Sequence, residues 1–200
     1  MLGLTESTKV NKILYKNKLF EYMKLKTSEK ENFNEDIKKI RICNEISSKT
    51  INISGGNDVK SFFFIEVELN KQDYNKVNLV ILDKFIPQNI VFIIAYRDTF
   101  KLAVYRQRLF ESEWIPSDYK LKLDGLDIES IYKNIIVEIG KINISEEKSL
   151  DEQIEIDEEI ERINKRIEQL TKKMYKEKQL RKKFELNKEI EKLESMKIWQ

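Results

Sequence analysis

Histidine is absent from the 200 residues, cysteine occurs once, at Cys43, and proline only twice, at Pro87 and Pro116. Without histidine there is no imidazole general base, no Ser-His-Asp or Cys-His nucleophile system, and almost no route to a zinc site. Any chemistry has to run on carboxylates, lysines or tyrosines. One cysteine cannot form an intramolecular disulfide, which fits a reducing cytoplasm. The start, Met1-Leu-Gly-Leu-Thr-Glu6, lacks a basic stretch followed by an apolar one, so no secretory leader is expected. The richest apolar run, Ile90 to Ala95, is far short of the roughly 20 residues a membrane helix needs. Net charge is only +2, which removes any global attraction to polyanions. No self-similarity appears at a period of 20–50 residues, which argues against a solenoid.

What remains is enough for a core. Apolar residues make up 40% of the chain, and the first 150 or so residues are sufficient for one buried domain. The sequence predicts a short helix over Lys16 to Met23, then a polar helical turn or loop over Ser28 to Asp36. Ile37 to Ile42 alternates apolar and charged residues as a half-wet strand does, and Thr50 to Ile53 looks like its partner. Gly55-Gly56-Asn57-Asp58 is a turn. Phe62 to Leu69 is apolar on both faces in its first half and reads as a central strand. Asp73 is placed to cap a helix carrying Val77, Val80, Ile81 and Phe85, which Pro87 ends. Ile90 to Tyr96 and Phe100 to Arg106 form a hairpin around Arg97-Asp98-Thr99; Trp114-Ile115 and Leu121 to Leu123 are short extended pieces. Asp127 caps a last helix whose face is Ile128, Ile131, Tyr132, Ile135, Ile136 and Ile139, and Gly140 stops it. The expected class is α+β: a mixed sheet with packed helices over 1–143, plus a charged helical segment over 150–198.

In that segment Ile156, Ile160, Ile163, Ile167, Leu170 and Met174 are spaced as a heptad seam. The seam fails at Glu177 and Arg181, and another begins at Leu186, Ile190 and Leu193. Such a break predicts a bend near Lys176 to Gln179 and an antiparallel hairpin; one long helix paired with another chain is the alternative. Charge is polarised. Seven acids and no base lie between 151 and 161, whereas Lys172, Lys173, Lys176, Lys178, Arg181, Lys182 and Lys183 stand against the single acid Glu177. A basic tip of this kind suits a phosphate backbone, although helix-end bias and solvation produce similar patterns.

Three blocks and the ending share a likeness. Thr8 to Lys16, Ile40 to Ile53, Phe64 to Leu69, and the run Lys176-Glu-Lys-Gln-Leu-Arg-Lys-Lys-Phe-Glu-Leu-Asn187 followed by Lys188 to Leu193 resemble a bacterial family known as domain of unknown function 4391. The likeness covers nearly the whole chain. It implies no particular activity; it does imply a role beside the helicases and DNA methyltransferases of restriction-type defence systems. The family leads one to expect lysine after Glu68-Leu69, where this chain has Asn70.

The element order also suggests a degenerate core of the PD-(D/E)xK nuclease kind. Asp58 precedes the central strand, and Glu66 and Glu68 share one of its faces. Paired carboxylates there are costly unless neutralised or bound to a metal, so Asp58, Glu66 and Glu68 are the candidate catalytic and Mg²⁺-binding residues. Without that chemistry no cofactor is expected, and Lys101, Arg106 or Arg108 on neighbouring strands would satisfy the acids. Trp114, Tyr105, Tyr96 and Phe110 are aromatic candidates for base stacking, more simply read as core; Cys43 reads as a small buried hydrophobe. Three functions stay open: a cytoplasmic, non-catalytic accessory subunit contacting DNA or a partner protein through its tail, a Mg²⁺-dependent nuclease, and a homo-oligomer built on the coiled coil.

Overall fold

The computed structural model describes residues 2–145 and 148–198. The chain forms two compact units, Met1–Ile142 and Asn143–Gln200.

The first unit is built on a seven-stranded mixed sheet. Six strands follow sequence order: β1 (Lys9–Leu14), β2 (Ile37–Ser47), β3 (Ser61–Leu69), β4 (Asn89–Tyr96), β5 (Thr99–Arg106) and β6 (Arg108–Glu111); the two-residue β7 (Ile115–Pro116) pairs with the start of β5, on the edge that β6 uses farther along. Only β3 and β4 run parallel, because α4 (Val77–Phe85) carries the chain across between them. Helices α1 (Lys16–Met23) and α2 (Thr27–Asp36) connect β1 to β2. Alternation along β3 sorts its side chains. Ile65, Val67 and Leu69 join Ile40, Phe92 and Ile94 against Met23, Phe33, Leu79 and Leu82 from the three helices. On the opposite face Phe62 packs on Phe64 and on Tyr132 of α5 (Ile128–Gly140). The Asp127 side chain accepts the Ser130 N–H at 2.7 Å, so α5 starts where the cap residue predicts.

Several expectations need correction. Thr50 to Ile53 is not a strand: α3 (Ser48–Ile51) forms there, with Ser47 N–H donating to Thr50 Oγ1 and the Thr50 hydroxyl within reach of the Glu45 and Ser47 carbonyls. The true second neighbour of β2 is β1, an edge strand whose Val10 and Ile13 stay exposed and whose lysines obscure its strand pattern. Asp73 does not cap α4; Asn75 Oδ1 accepts the Val77 N–H instead. Leu121 to Leu123 forms no strand, although Lys120 next to it bridges Leu2. Gly56 is demanded by a close approach, since a Cβ there would lie 2.3 Å from Glu129.

The second unit is a helical hairpin of α6 (Leu150–Lys176) and α7 (Leu180–Ile198). Ser149 and Glu152 cap each other's backbone at the start of α6. Arg166 bonds Glu189 across the hairpin at 3.0 Å, tying the two antiparallel helices together. Ile163, Leu170 and Ile190 are buried. The other seam residues, Ile156, Ile160, Ile167, Met174, Leu186 and Leu193, are half-buried. The bend needs no glycine or proline because Glu177 builds it: its carboxylate accepts the N–H groups of Lys178 and Gln179 at 2.8 and 2.9 Å. Those bonds, the Gln179 N–H foremost, hold its pKa below the usual carboxylate range.

Candidate functional site

The carboxylates singled out from the sequence lie on β3, on the same face, as alternation requires. Glu66 is buried and Glu68 half-buried. Each has its own base. Arg41 Nη2 donates to Glu66 Oε2 at 2.7 Å, and Lys38 Nζ to Glu68 Oε1 at 2.6 Å. Both bases come from β2, not from Lys101, Arg106 or Arg108. Sheet order gives the reason: β4 lies between β3 and β5 and sets Ile93 and Ala95 beside the two glutamates. Lys101 stacks instead on Trp114, which also meets Tyr96, and both rings pack against the core. Phe110 is buried too.

Asp58 is elsewhere. Ser61, where β3 begins, is roughly 16 Å from Glu66 at the rise of an extended strand, and Asp58 precedes it. The Asp58 N–H donates to Glu129 Oε2 at 2.9 Å, fastening the loop to α5, while Lys133 binds the other carboxylate oxygen. These bonds, Lys133 first, pull Glu129 down to about 2. Asp58 therefore does not converge with Glu66 and Glu68. Among the described residues no three acidic or cysteine side chains gather closely enough to hold a metal ion.

The Arg41–Glu66 pair borders a cavity of about 330 Å³ that Lys9, Asn11, Cys43 and Asn44 also line. Pairing register shifts in β1 between Lys9 and Lys12 and in β2 between Ile42 and Asn44, and Asn11 takes a left-handed φ of 52°. Such irregularities turn side chains toward a common point: Asn11 Oδ1 accepts from Arg41 Nη1 and the Cys43 thiol lies 3.6 Å from Glu66. Burial, then the Glu66 charge, raises the thiol pKa and keeps it protonated. The site is a neutralised polar pocket with no activated nucleophile.

Asn70, standing where the family pattern leads one to expect lysine, closes the end of α2. Its amide donates to the carbonyls of Asn34 and Glu35 at 3.2 and 2.9 Å, and its backbone N–H to that of Asp36. The next residue, Lys71, pairs with the buried Asp36 at 2.9 Å. The cation is thus engaged in holding the fold.

Asp83 on α4 is half-buried without a hydrogen-bond partner among the described residues, and burial pushes its carboxyl up to about 6. A carboxyl whose folded pKa exceeds its unfolded value is favoured by the fold while protonated; that contribution is complete below about pH 4 and lost as pH rises through 6. Asp83→Asn should therefore stabilise the protein at pH 8 by about 1 kcal/mol after allowance for partial exposure, and by almost nothing at pH 4. Urea unfolding at both pH values checks this; an equal effect at both removes the electrostatic cause.

The basic block lies at the hairpin tip. Lys172 pairs with Glu168 and Arg181 with Glu185 along their own helices. Lys173, Lys176, Lys178, Lys182 and Lys183 have no ion pair among the described residues. A groove of about 560 Å³ runs between the helices there, with Lys173, Lys176 and Lys182 facing Glu177, Glu185 and Glu189.

The architecture defines an α+β domain followed by a helical hairpin. Residues 2–196 match the family described as domain of unknown function (DUF4391), and the chain belongs to that family. No curated protein and no solved structure matches it. Among the described residues no helix is long and apolar enough to cross a membrane.

Proposed function

We propose that this protein is a non-catalytic binding module that engages the phosphate backbone of nucleic acid through its hairpin tip, as an accessory subunit of a DNA-directed bacterial defence system. The observation that carries this reading is the charge at the bend: five lysines that make no ion pair among the described residues, around a three-residue turn, in a chain whose net charge is only +2. Concentrated at one end of the hairpin, they favour counterion release on binding. The sheet unit then serves as the platform toward a protein partner, for which a helicase or a DNA methyltransferase is the proposed class. Neutralisation of Glu66 and Glu68 by Arg41 and Lys38 supports a binding role over Mg²⁺-dependent hydrolysis. Burial of Ile163, Leu170 and Ile190 in a chain that folds its two seams into one hairpin supports the same role over a homo-oligomer assembled through the tail.

Charge reversal at Lys173, Lys176, Lys178, Lys182 and Lys183, each to Glu, is expected to weaken duplex binding in a gel shift by roughly a hundredfold at moderate salt. Four of these positions are exposed and Lys183 is half-buried, and helical circular dichroism is expected to stay unchanged. Equal affinity of the two proteins rejects the reading. Incubation of the wild type with plasmid and Mg²⁺ or Mn²⁺ should leave the plasmid intact; cutting that Glu66→Gln abolishes would establish the nuclease reading instead.

A further inference from the structure

Three large apolar side chains stand exposed around the bend: Tyr175 at 77%, Leu180 at 83% and Phe184 at 61% of their full exposure. None belongs to the hairpin seam, where Leu170 and Ile190 are buried. Tyr175 lies two residues before the Glu177 turn. Leu180 opens α7, and Phe184 follows one helical turn later on the same face. Solvation explains exposed lysines, but it does not explain exposed aromatic rings placed among them.

We infer that the tip grips single-stranded nucleic acid, with unpaired bases stacking on Tyr175 and Phe184 while the surrounding lysines hold the backbone. The inference rests on the phosphate-binding reading above and names its substrate class. Flat rings interleaved with cations are the composition that tracks a strand without reading its sequence, because every base has a π-face. Paired bases in a duplex hide those faces. The sequence along α7 favours this occupant over a protein groove or a lipid surface. A docked amphipathic helix needs apolar anchors at i, i+4 and i+7 or a longer stripe, and the face that begins with Leu180 and Phe184 continues with Lys188 and Glu191. Lys188 itself lies 4.8 Å from the Phe184 ring centre, a cation already on one side of the platform.

The test compares two fluorescent probes of equal phosphate count, a 25-nucleotide oligothymidine and an abasic strand of the same length, by anisotropy on the full chain. Wild type should bind oligothymidine about tenfold more tightly. Tyr175→Ala with Phe184→Ala should bring the two affinities together while leaving the salt dependence unchanged, and the more conservative Tyr175→Phe should keep the preference. A preference that survives the double substitution overturns the inference. So does a wild type that binds both probes alike with strong salt dependence, an outcome that leaves phosphate binding standing. A wild type that binds neither probe nor duplex overturns both. Tight, salt-sensitive binding to anionic vesicles without any to oligothymidine overturns the inference in favour of a membrane surface.

Discussion

Arg41→Met should destabilise the sheet unit by about 3 kcal/mol at neutral pH. Glu66 has a side chain only 9% exposed, and Arg41 supplies its one basic partner among the described residues. Removing the guanidinium leaves a buried carboxylate facing Asn11, Cys43 and the cavity they line, and an uncompensated buried charge is what makes broken pairs costly. Methionine keeps the aliphatic stem's packing, so the loss isolates charge from volume. The rescue decides the cause. Glu66→Gln added to Arg41→Met should recover most of the stability, because the charge that needed the arginine has gone. Additive losses in urea unfolding would mean that Arg41 acts through packing alone.

Asp36→Ala should cost about as much, 3 kcal/mol or slightly more, for a different reason. Asp36 is nearly inaccessible and ties three segments together. Its carboxylate accepts the Asn75 N–H at 2.8 Å and the Asn78 side-chain amide at 2.9 Å, and pairs with Lys71. Asn78 is itself buried, so truncation strands a donor that water cannot reach, worth about 1–3 kcal/mol for each group left unsatisfied. Asp36→Asn keeps one acceptor and should lose less than half as much. If Asp36→Ala unfolds at the wild-type denaturant midpoint, the junction between α2, β2 and the β3–α4 loop is not held in this way.

Where local signals were strong, the fold was legible from the residues. Asp127 with its isoleucine face gave α5, Lys16 to Met23 gave α1, and the seam failure after Met174 gave the hairpin bend. The misses share one cause, which is that pairing is not local. Lys9–Leu14 carries lysines and exposed apolar residues because it is an edge, and nothing in its own pattern separates it from a loop. Thr50 reads as a strand residue until its hydroxyl is seen to accept the Ser47 N–H at the start of α3. The face shared by Glu66 and Glu68 followed from alternation, but their partners did not, since choosing Arg41 and Lys38 over Lys101 requires knowing that β2 and β4 flank β3. Glu177 is the most instructive residue of the tip. As a lone acid in a basic run it looks incidental, whereas its carboxylate makes the turn that gathers the lysines. The exposed rings of Tyr175 and Phe184 were likewise invisible as a site, because helical residues reveal which side is wet only once the seam's partner is known.

The central claim is that the tip binds phosphates with its unpaired lysines, and the salt dependence of binding tests it most directly. Plotted as log affinity against log salt concentration for duplex DNA, the wild type should fall with a slope of about −4.5, as five neutralised phosphates require, and the five-residue charge reversal should approach zero. A wild-type slope near zero, or an unchanged slope in the charge-reversed protein, would contradict the account.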